Sequence, residues 1–256
     1  MGYNFKQYDA RWGKKNYNTS STYAKAACGP TSCASIVYDK DTSITPVDCG
    51  NYMKAHKYAI PNNGTTPNGI TPCLKHFGFK NVKKHAKTSG GKSYGTISSM
   101  AKAMAKNNTY GIILFRAGTK GGVTWTTGGH YIAVDGYKKK DGKHYFHTLD
   151  SAGRNHTGWY CYETQMKGLD RMMWSAELDI PSFPRCATAK NSNGVNVVAL
   201  QRCLNKVMEV EPKLLDDGEY LTKTEERVKV YQKSRGLVAD GKAGKKTLAQ
   251  LKKDLG

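Results

Sequence analysis

Three short strings carry side chains that could do covalent chemistry: Cys28-Gly29-Pro30-Thr31-Ser32, Gly128-Gly129-His130-Tyr131 and Leu149-Asp150-Ser151. A thiol becomes a nucleophile once deprotonated, an imidazole can take and return its proton, and a carboxylate can hold that imidazole in one tautomer. The chemistry open to such a set is acyl transfer from an amide through a thioester. The chain has seven cysteines, Cys28, Cys33, Cys49, Cys73, Cys161, Cys186 and Cys203, and only Cys28 stands where a thiol would be activated. Pro30 suits the first turn of a helix, where its missing N–H costs nothing. Cys33, Ile36 and Val37 then recur at helical spacing between Thr31 and Tyr38. Cys28 is therefore expected at a helix N-terminus, whose partial positive charge favours the thiolate. Gly29 is expected to leave room beside the sulfur for a substrate backbone, and Cys33 to lie in the core.

The base and its partner need a strand pair to bring them together. His130 begins a segment in which Ile132 and Val134 alternate as in a strand, and His144 to Asp150 reads as a second strand. Between them Asp141-Gly142 is a hairpin turn signal. Folding back near 140 or 141 would set His130 and Asp150 close to opposite each other at the open end of the hairpin, on one face of the sheet. A register shift of one would break that match. Asp135 is a rival carboxylate toward the turn end, and Asn155 a weaker one. His56, His76, His85, His144, His147 and His156 have no comparable setting and read as surface or packing residues.

At this point Gln7-Tyr8-Asp9-Ala10-Arg11-Trp12, Cys28-Gly29-Pro30-Thr31-Ser32, Gly129-His130-Tyr131 and Asp150-Ser151 together resemble the papain-like cysteine peptidases related to bacteriocin-leader-processing peptidases. The resemblance spans roughly residues 1–180. It implies an α+β fold with a helix packed on an antiparallel sheet, Cys28 as nucleophile, His130 as general base and Asp150 as its orienter. It also implies an oxyanion-hole glutamine upstream of the cysteine, for which Gln7 is the candidate. An amide N–H there and the backbone N–H of Cys28 would bind the charge of a tetrahedral intermediate. Gln7 lies 21 residues before Cys28, against only a few in the leader-processing members, so the intervening segment would have to loop out. The alternative is that Gln7, Asp9 and Trp12 pack the N-terminal segment. Gly29, Gly129 and Trp12 are the residues expected to contact substrate.

Residues 181–192 carry Pro181 and Pro184 and then a small, polar run, and read as a linker. Residues 193–256 change texture to helical spacing: Val197, Leu200 and Leu204 on a first helix, Val228 and Tyr231 on a second, Leu248 and Leu251 on a third. Asp217-Gly218 with Thr224 recurs as Asp240-Gly241 with Thr247, a repeat of turn and helix 23 residues apart. This small all-α three-helix segment resembles the peptidoglycan-binding domains of bacterial and phage cell-wall hydrolases. Leu200-Gln201, Tyr231-Gln232, Gly236-Leu237 and both Asp-Gly pairs carry the resemblance. Leu221 stands where the second repeat has Gly244, so the first turn is expected to be built differently.

The chain has 256 residues and a net charge of +20, which suits two domains. Residues 1–183 hold 25 Lys and Arg against 11 Asp and Glu, and residues 184–256 hold 15 against 9, so both modules are basic. Such a surface seeks a polyanion. No nucleic-acid-binding signature is present, and the resemblance of the second segment implies peptidoglycan of a Gram-positive-type wall as the partner, with its anionic polymers as a further attraction. The N-terminus lacks an apolar signal core and no run spans a membrane, so a monomer made in the bacterial cytoplasm and acting at the wall after release is expected. A phage endolysin meets that description. Cys73, His76 and His85 do not complete a metal site, and no cofactor is implied. Paired catalytic carboxylates, the requirement of a glycosidase, do not present themselves. The expected reaction is cleavage of a stem or cross-bridge peptide bond. An N-acetylmuramoyl-L-alanine amidase on the same scaffold is the near alternative. An intracellular protein-processing peptidase with a docking domain, or a binding protein without activity, is a more distant one.

Overall fold

In the computed structural model, which describes residues 2–106 and 108–256, seven strands form one antiparallel sheet. They are β1 (Lys80–Ser89), β2 (Lys92–Gly95), β3 (Thr109–Phe115), β4 (His130–Lys140), β5 (Lys143–Leu149), β6 (Gly158–Cys161) and β7 (Asp170–Glu177). Their spatial order is β6-β5-β4-β3-β7-β1-β2. The hairpin between β4 and β5 closes as expected on Asp141 and Gly142, both at positive φ (50° and 74°), the backbone that a two-residue turn requires.

Strand alternation divides the central strands between two cores. Ile113, Phe115, Ile132, Val134 and Met173 join Trp125 and Phe146 in one cluster, closed by Met100 and Met104 of the helix Ile97–Met104. On the other side lies α1 (Cys28–Val37), which packs against β4 and β3. Every residue of α1 from Gly29 to Val37 is buried, so this helix has no solvated face. Ser32 Oγ donates to the Tyr131 carbonyl at 3.0 Å and ties the helix to β4 one turn after Cys28. Two further helices, α2 (Pro46–Ala55) and α3 (Ile70–His76), cover α1. α2 begins with a capping box in which Thr45 and Asp48 bond each other's backbone.

β4 and β5 do not pair in one continuous register. From Lys140↔Lys143 to Gly136↔His147 the ladder runs evenly, then shifts by one so that Val134 faces Thr148 and Ala133 faces Leu149. Asp135 is the extra residue of this β-bulge. The shift shows in the packing: Val134 and Tyr137, three residues apart, both reach the same hydrophobic cluster.

The second unit, Asp179–Gly256, contains α4 (Val195–Met208), α5 (Thr222–Ser234) and α6 (Lys245–Leu255). Val197, Leu200, Leu204, Val228, Tyr231 and Leu251 form its core with Tyr220. The repeat has a physical centre in two buried glutamines. Gln201 Nε2 donates to Asp217 Oδ1, the Glu219 carbonyl and Thr224 Oγ1, and its Oε1 accepts from the Gly218 N–H. Gln232 makes the same four contacts with Asp240, Lys242, Thr247 and Gly241. Each glutamine thus clamps an Asp-Gly turn to the helix that follows it. The expected difference between Leu221 and Gly244 is not found. Both residues cap their helices with extended backbone (φ −102° and −82°), so neither position needs glycine.

Residues 181–192, expected as a linker, are built into this unit. Thr188 and Ala243 bond each other's backbone, Asn191 and Ser192 bond Tyr220, and Lys190 pairs with Glu225 at 2.9 Å. Small and polar residues here meet the backbone needs of the Asp-Gly turns instead of forming a free tether.

Candidate active site

Cys28 is the first residue of α1 and is partly exposed. His130 opens β4, and Asp150 follows the last residue of β5. His130 Nε2 lies 2.7 Å from Asp150 Oδ1, with Asp150 fully buried. The carboxylate therefore claims the proton on Nε2 and leaves Nδ1 as the ring nitrogen available to the sulfur. His130 and Asp150 are not directly cross-strand. Continuing the ladder beyond Ala133↔Leu149 would set Asp150 against Ile132, two residues from His130 and on its face. Without the bulge at Asp135 the ladder would set Asp150 against Ala133, on the other face. The one-residue slip is thus what brings the pair into phase.

Asp150 is held from all sides. Its Oδ1 also accepts from the Ala152 N–H at 2.9 Å and its Oδ2 from the His156 N–H at 3.0 Å. Lys6 Nζ donates to its carbonyl at 2.7 Å. Burial would raise its pKa, but the hydrogen bond and charge of His130 and these two N–H groups hold it below the usual carboxylate value. Burial acts on His130 in the opposite sense. Hydrogen bonds to Asp150 and Cys28, with the charges behind them, overcome it and raise the imidazole to about 9. Burial also opposes ionisation of Cys28. His130, followed by the N–H groups of Tyr131 and Gly29, outweighs it and brings the thiol below its ordinary value. The three groups together favour a thiolate beside an imidazolium.

The sulfur opens on a cavity of about 560 Å³, lined among others by Lys25, Asn62, Thr65, Gly129, Tyr131 and Arg171. Gly129 is exposed, and a side chain there would meet nothing within 4 Å. Gly29 does not line the cavity. A Cβ on it would fall 2.6 Å from Thr65 Oγ1, so the glycine is required by packing of the helix start against Thr65 and not by room for substrate. Trp12 is also misplaced by the sequence reading. It is buried against Phe5, donates from Nε1 to the Lys6 carbonyl at 2.8 Å, and is covered by the Arg11 guanidinium, so no substrate reaches it.

Gln7 is near the machinery but does not line the cavity. Its Nε2 donates to the Ala24 carbonyl at 2.6 Å, its Oε1 accepts from Ser151 Oγ, and its N–H donates to the Ser151 carbonyl. As folded it is a strut between the Asp150-Ser151 corner and the segment before Cys28, which is the packing alternative.

The rival groups are occupied elsewhere. Asn155 Oδ1 accepts from Lys6 Nζ at 2.9 Å. Asp135 Oδ1 is 2.6 Å from His147 Nδ1, a second histidine–carboxylate pair at the bulge, with Asp135 buried and His147 partly so. Sequence reading set His147 aside as a packing residue because its partner lies across the ladder. Of the weak metal candidates, Cys73 turns inward to Cys33 and Cys49, His76 stacks on Tyr52, and His85 bonds Ser99 and Ser175. Lys25, Thr65 and Arg171 went unread in the sequence. They come from three separate segments with no shared motif.

Comparison with known proteins adds to this geometry. The family described as Peptidase_C39 like matches residues 5–175, and a peptidoglycan binding domain family matches residues 193–251. No curated protein matches the chain. Among solved structures, a periplasmic domain of the EpsAB fusion protein of the Vibrio vulnificus type II secretion system aligns at 14% identity over 79% of this chain and 76% of its own, with a TM-score of 0.25. A peptidoglycan-binding protein from Clostridioides difficile, in complex with glutamine hydroxamate, aligns at 18% identity over 50% of this chain and 63% of its own, with a TM-score of 0.24.

Proposed function

Because the chain belongs to the Peptidase_C39 like family over residues 5–175, we propose that it is a cysteine peptidase that hydrolyses bacterial peptidoglycan at a stem or cross-bridge peptide bond. The observation that carries the reading is the buried His130–Asp150 pair, 2.7 Å long, beside a thiol held below its ordinary pKa at the start of a helix. The Cys28 thiolate attacks the amide carbonyl. The developing oxyanion is met by the N–H of Cys28, one of the donors that the first turn of α1 leaves without an intrahelical partner. His130 gives its Nδ1 proton to the leaving amine, and the thioester is then hydrolysed by water that His130 deprotonates. Asp150 keeps the ring in one tautomer throughout.

Peptidoglycan is the substrate that the second domain supports, since residues 193–251 match a family that binds it. Holding the enzyme on an insoluble polymer raises the local concentration of scissile bonds. A Gram-positive-type wall, with its anionic polymers, also suits the charge of +20. A phage endolysin, active at the wall after release from the cytoplasm, is the proposed setting.

Purified Gram-positive peptidoglycan treated with wild type and with Cys28→Ala, followed by turbidity and mass spectrometry, tests the reading. Clearing by the wild type alone, with new amino-acid amines in the fragments, is the expected result. Release of intact stem peptides from muramic acid would instead identify an amidase. Cleavage of soluble peptides with no wall of any chemotype cleared would overturn the wall reading.

A further inference from the structure

The cavity in front of Cys28 is uneven in charge. Lys25 and Arg171 line it, and no Asp or Glu does. Its other polar side chains, including Ser21, Asn62, Asn63 and Thr65, are neutral. Neither cation forms a salt bridge among the described residues. The charge of Asp150 is already met by His130 and two N–H groups, and the Cys28 thiolate by His130. Two positive charges are left over in the cavity on which the sulfur opens.

Arg171 is also there by construction. On β7, Asp170 pairs with Phe115 and Met172 with Leu114, so Arg171 is the extra residue of a second β-bulge. A bulge re-aims the side chain of the inserted residue, and Leu114, at that step of the ladder, lines the same cavity. The Tyr131 hydroxyl lies within electrostatic reach of both the Cys28 sulfur and the Arg171 guanidinium. Cation and nucleophile share one cavity with the Tyr131 side chain.

We propose that Lys25 and Arg171 recognise a carboxylate of the substrate next to the bond that Cys28 attacks, so that the enzyme selects anionic peptides. The inference rests on the peptidoglycan reading: stem peptides carry a free carboxylate on D-glutamate unless it is amidated. The two forms differ by one charge and almost nothing in shape, which makes them the natural probe.

Binding of L-Ala-γ-D-Glu-L-Lys-D-Ala and of its D-isoglutamine counterpart is measured by calorimetry on the full-length Cys28→Ala protein, and KM for both on the wild type. The free carboxylate should be preferred by about tenfold, the size of one charged hydrogen bond. That preference should shrink toward unity in Arg171→Gln and in Lys25→Gln, persist in Arg171→Lys, and reverse in Arg171→Glu. Equal binding of both peptides by Cys28→Ala with equal KM on the wild type, or a preference that survives in both glutamine variants, would overturn the inference. So would failure of either peptide to bind a protein whose wild type still solubilises whole walls. No binding together with no hydrolysis of any wall would instead bring down the peptidoglycan reading itself.

Discussion

Cys28 and His130 raise and lower each other. A thiolate beside an imidazolium lowers the thiol pKa and raises the imidazole pKa, and both shifts are found despite burial that opposes each. The reactive pair is loaded above the thiol pKa and below the imidazole pKa. Peptidase kcat/KM should therefore rise with pH on an acid limb below the ordinary thiol range and fall on an alkaline limb near pH 9. Alkylation of Cys28 by iodoacetamide should show the same acid limb. In Cys28→Ala the sulfur no longer supports the imidazolium, so the His130 pKa, followed by NMR, should drop from about 9 toward its ordinary value. An alkaline limb that stays in place with Asp150→Asn would show that His130 is not the group reporting there.

At the scale of elements, two bulges decide which side chains meet. The bulge at Asp135 shifts β5 by one residue and sets Asp150 in phase with His130. Asp135 itself is buried, with Oδ1 bonded to His147 and Oδ2 without a partner among the described residues. A carboxylate held this way has an unmet cost of about 1–3 kcal/mol, which the fold tolerates at the residue that sets the register. Deletion of Asp135 would let the ladder run evenly and carry Asp150 to the face of Ala133. The expected outcome is a folded protein with its cooperative melt, a loss in kcat of about 100-fold or more, and no downfield imidazolium proton for His130. His147→Ala should act in the same direction but more weakly, since the extra residue remains. Retained kcat in the deletion would show that the register does not position the pair.

At the scale of the molecule, the peptidase family covers the first unit and the peptidoglycan-binding family the second. Each has its own core, and each is basic. Removal of residues 179–256 should leave cleavage of a soluble stem peptide within about twofold, because every proposed catalytic group lies in residues 2–178. Clearing of intact walls should fall by about 100-fold as the tether to the polymer is lost. Raising salt from 0.05 to 0.5 M, an estimate of the range over which screening becomes strong (about 4 Å Debye length at the upper end), should weaken wall binding of both forms. Turbidity, wall-pelleting and soluble-peptide assays on the full-length and shortened proteins in parallel would check all three expectations. Equal loss on walls and on soluble peptide would mean that the second unit supports the fold of the first.

What the sequence alone determined was local chemistry. Cys28 before Pro30 at the start of a helical run, the alternation after His130, the Asp141-Gly142 turn and the repeated Asp-Gly pairs are all short-range signals, and the structure bears each of them out in its elements. Trp12 and Gly29, expected at the substrate, pack within the fold instead, and Gln7 takes the packing alternative. Residue type and proximity along the chain suggest contact with substrate, but only packing decides whether a side chain faces a cavity or a neighbour. The glutamine clamps show the same division. The turns were legible, while Gln201 and Gln232, 31 residues apart against 23 for the turns they hold, break the repeat that would have announced them. The bulges at Asp135 and Arg171 had no local signature at all. A bulge is a mismatch between two strands, so it exists only once both are paired. The phase of the histidine–carboxylate pair and the placing of Arg171 at the cavity were therefore settled by tertiary structure.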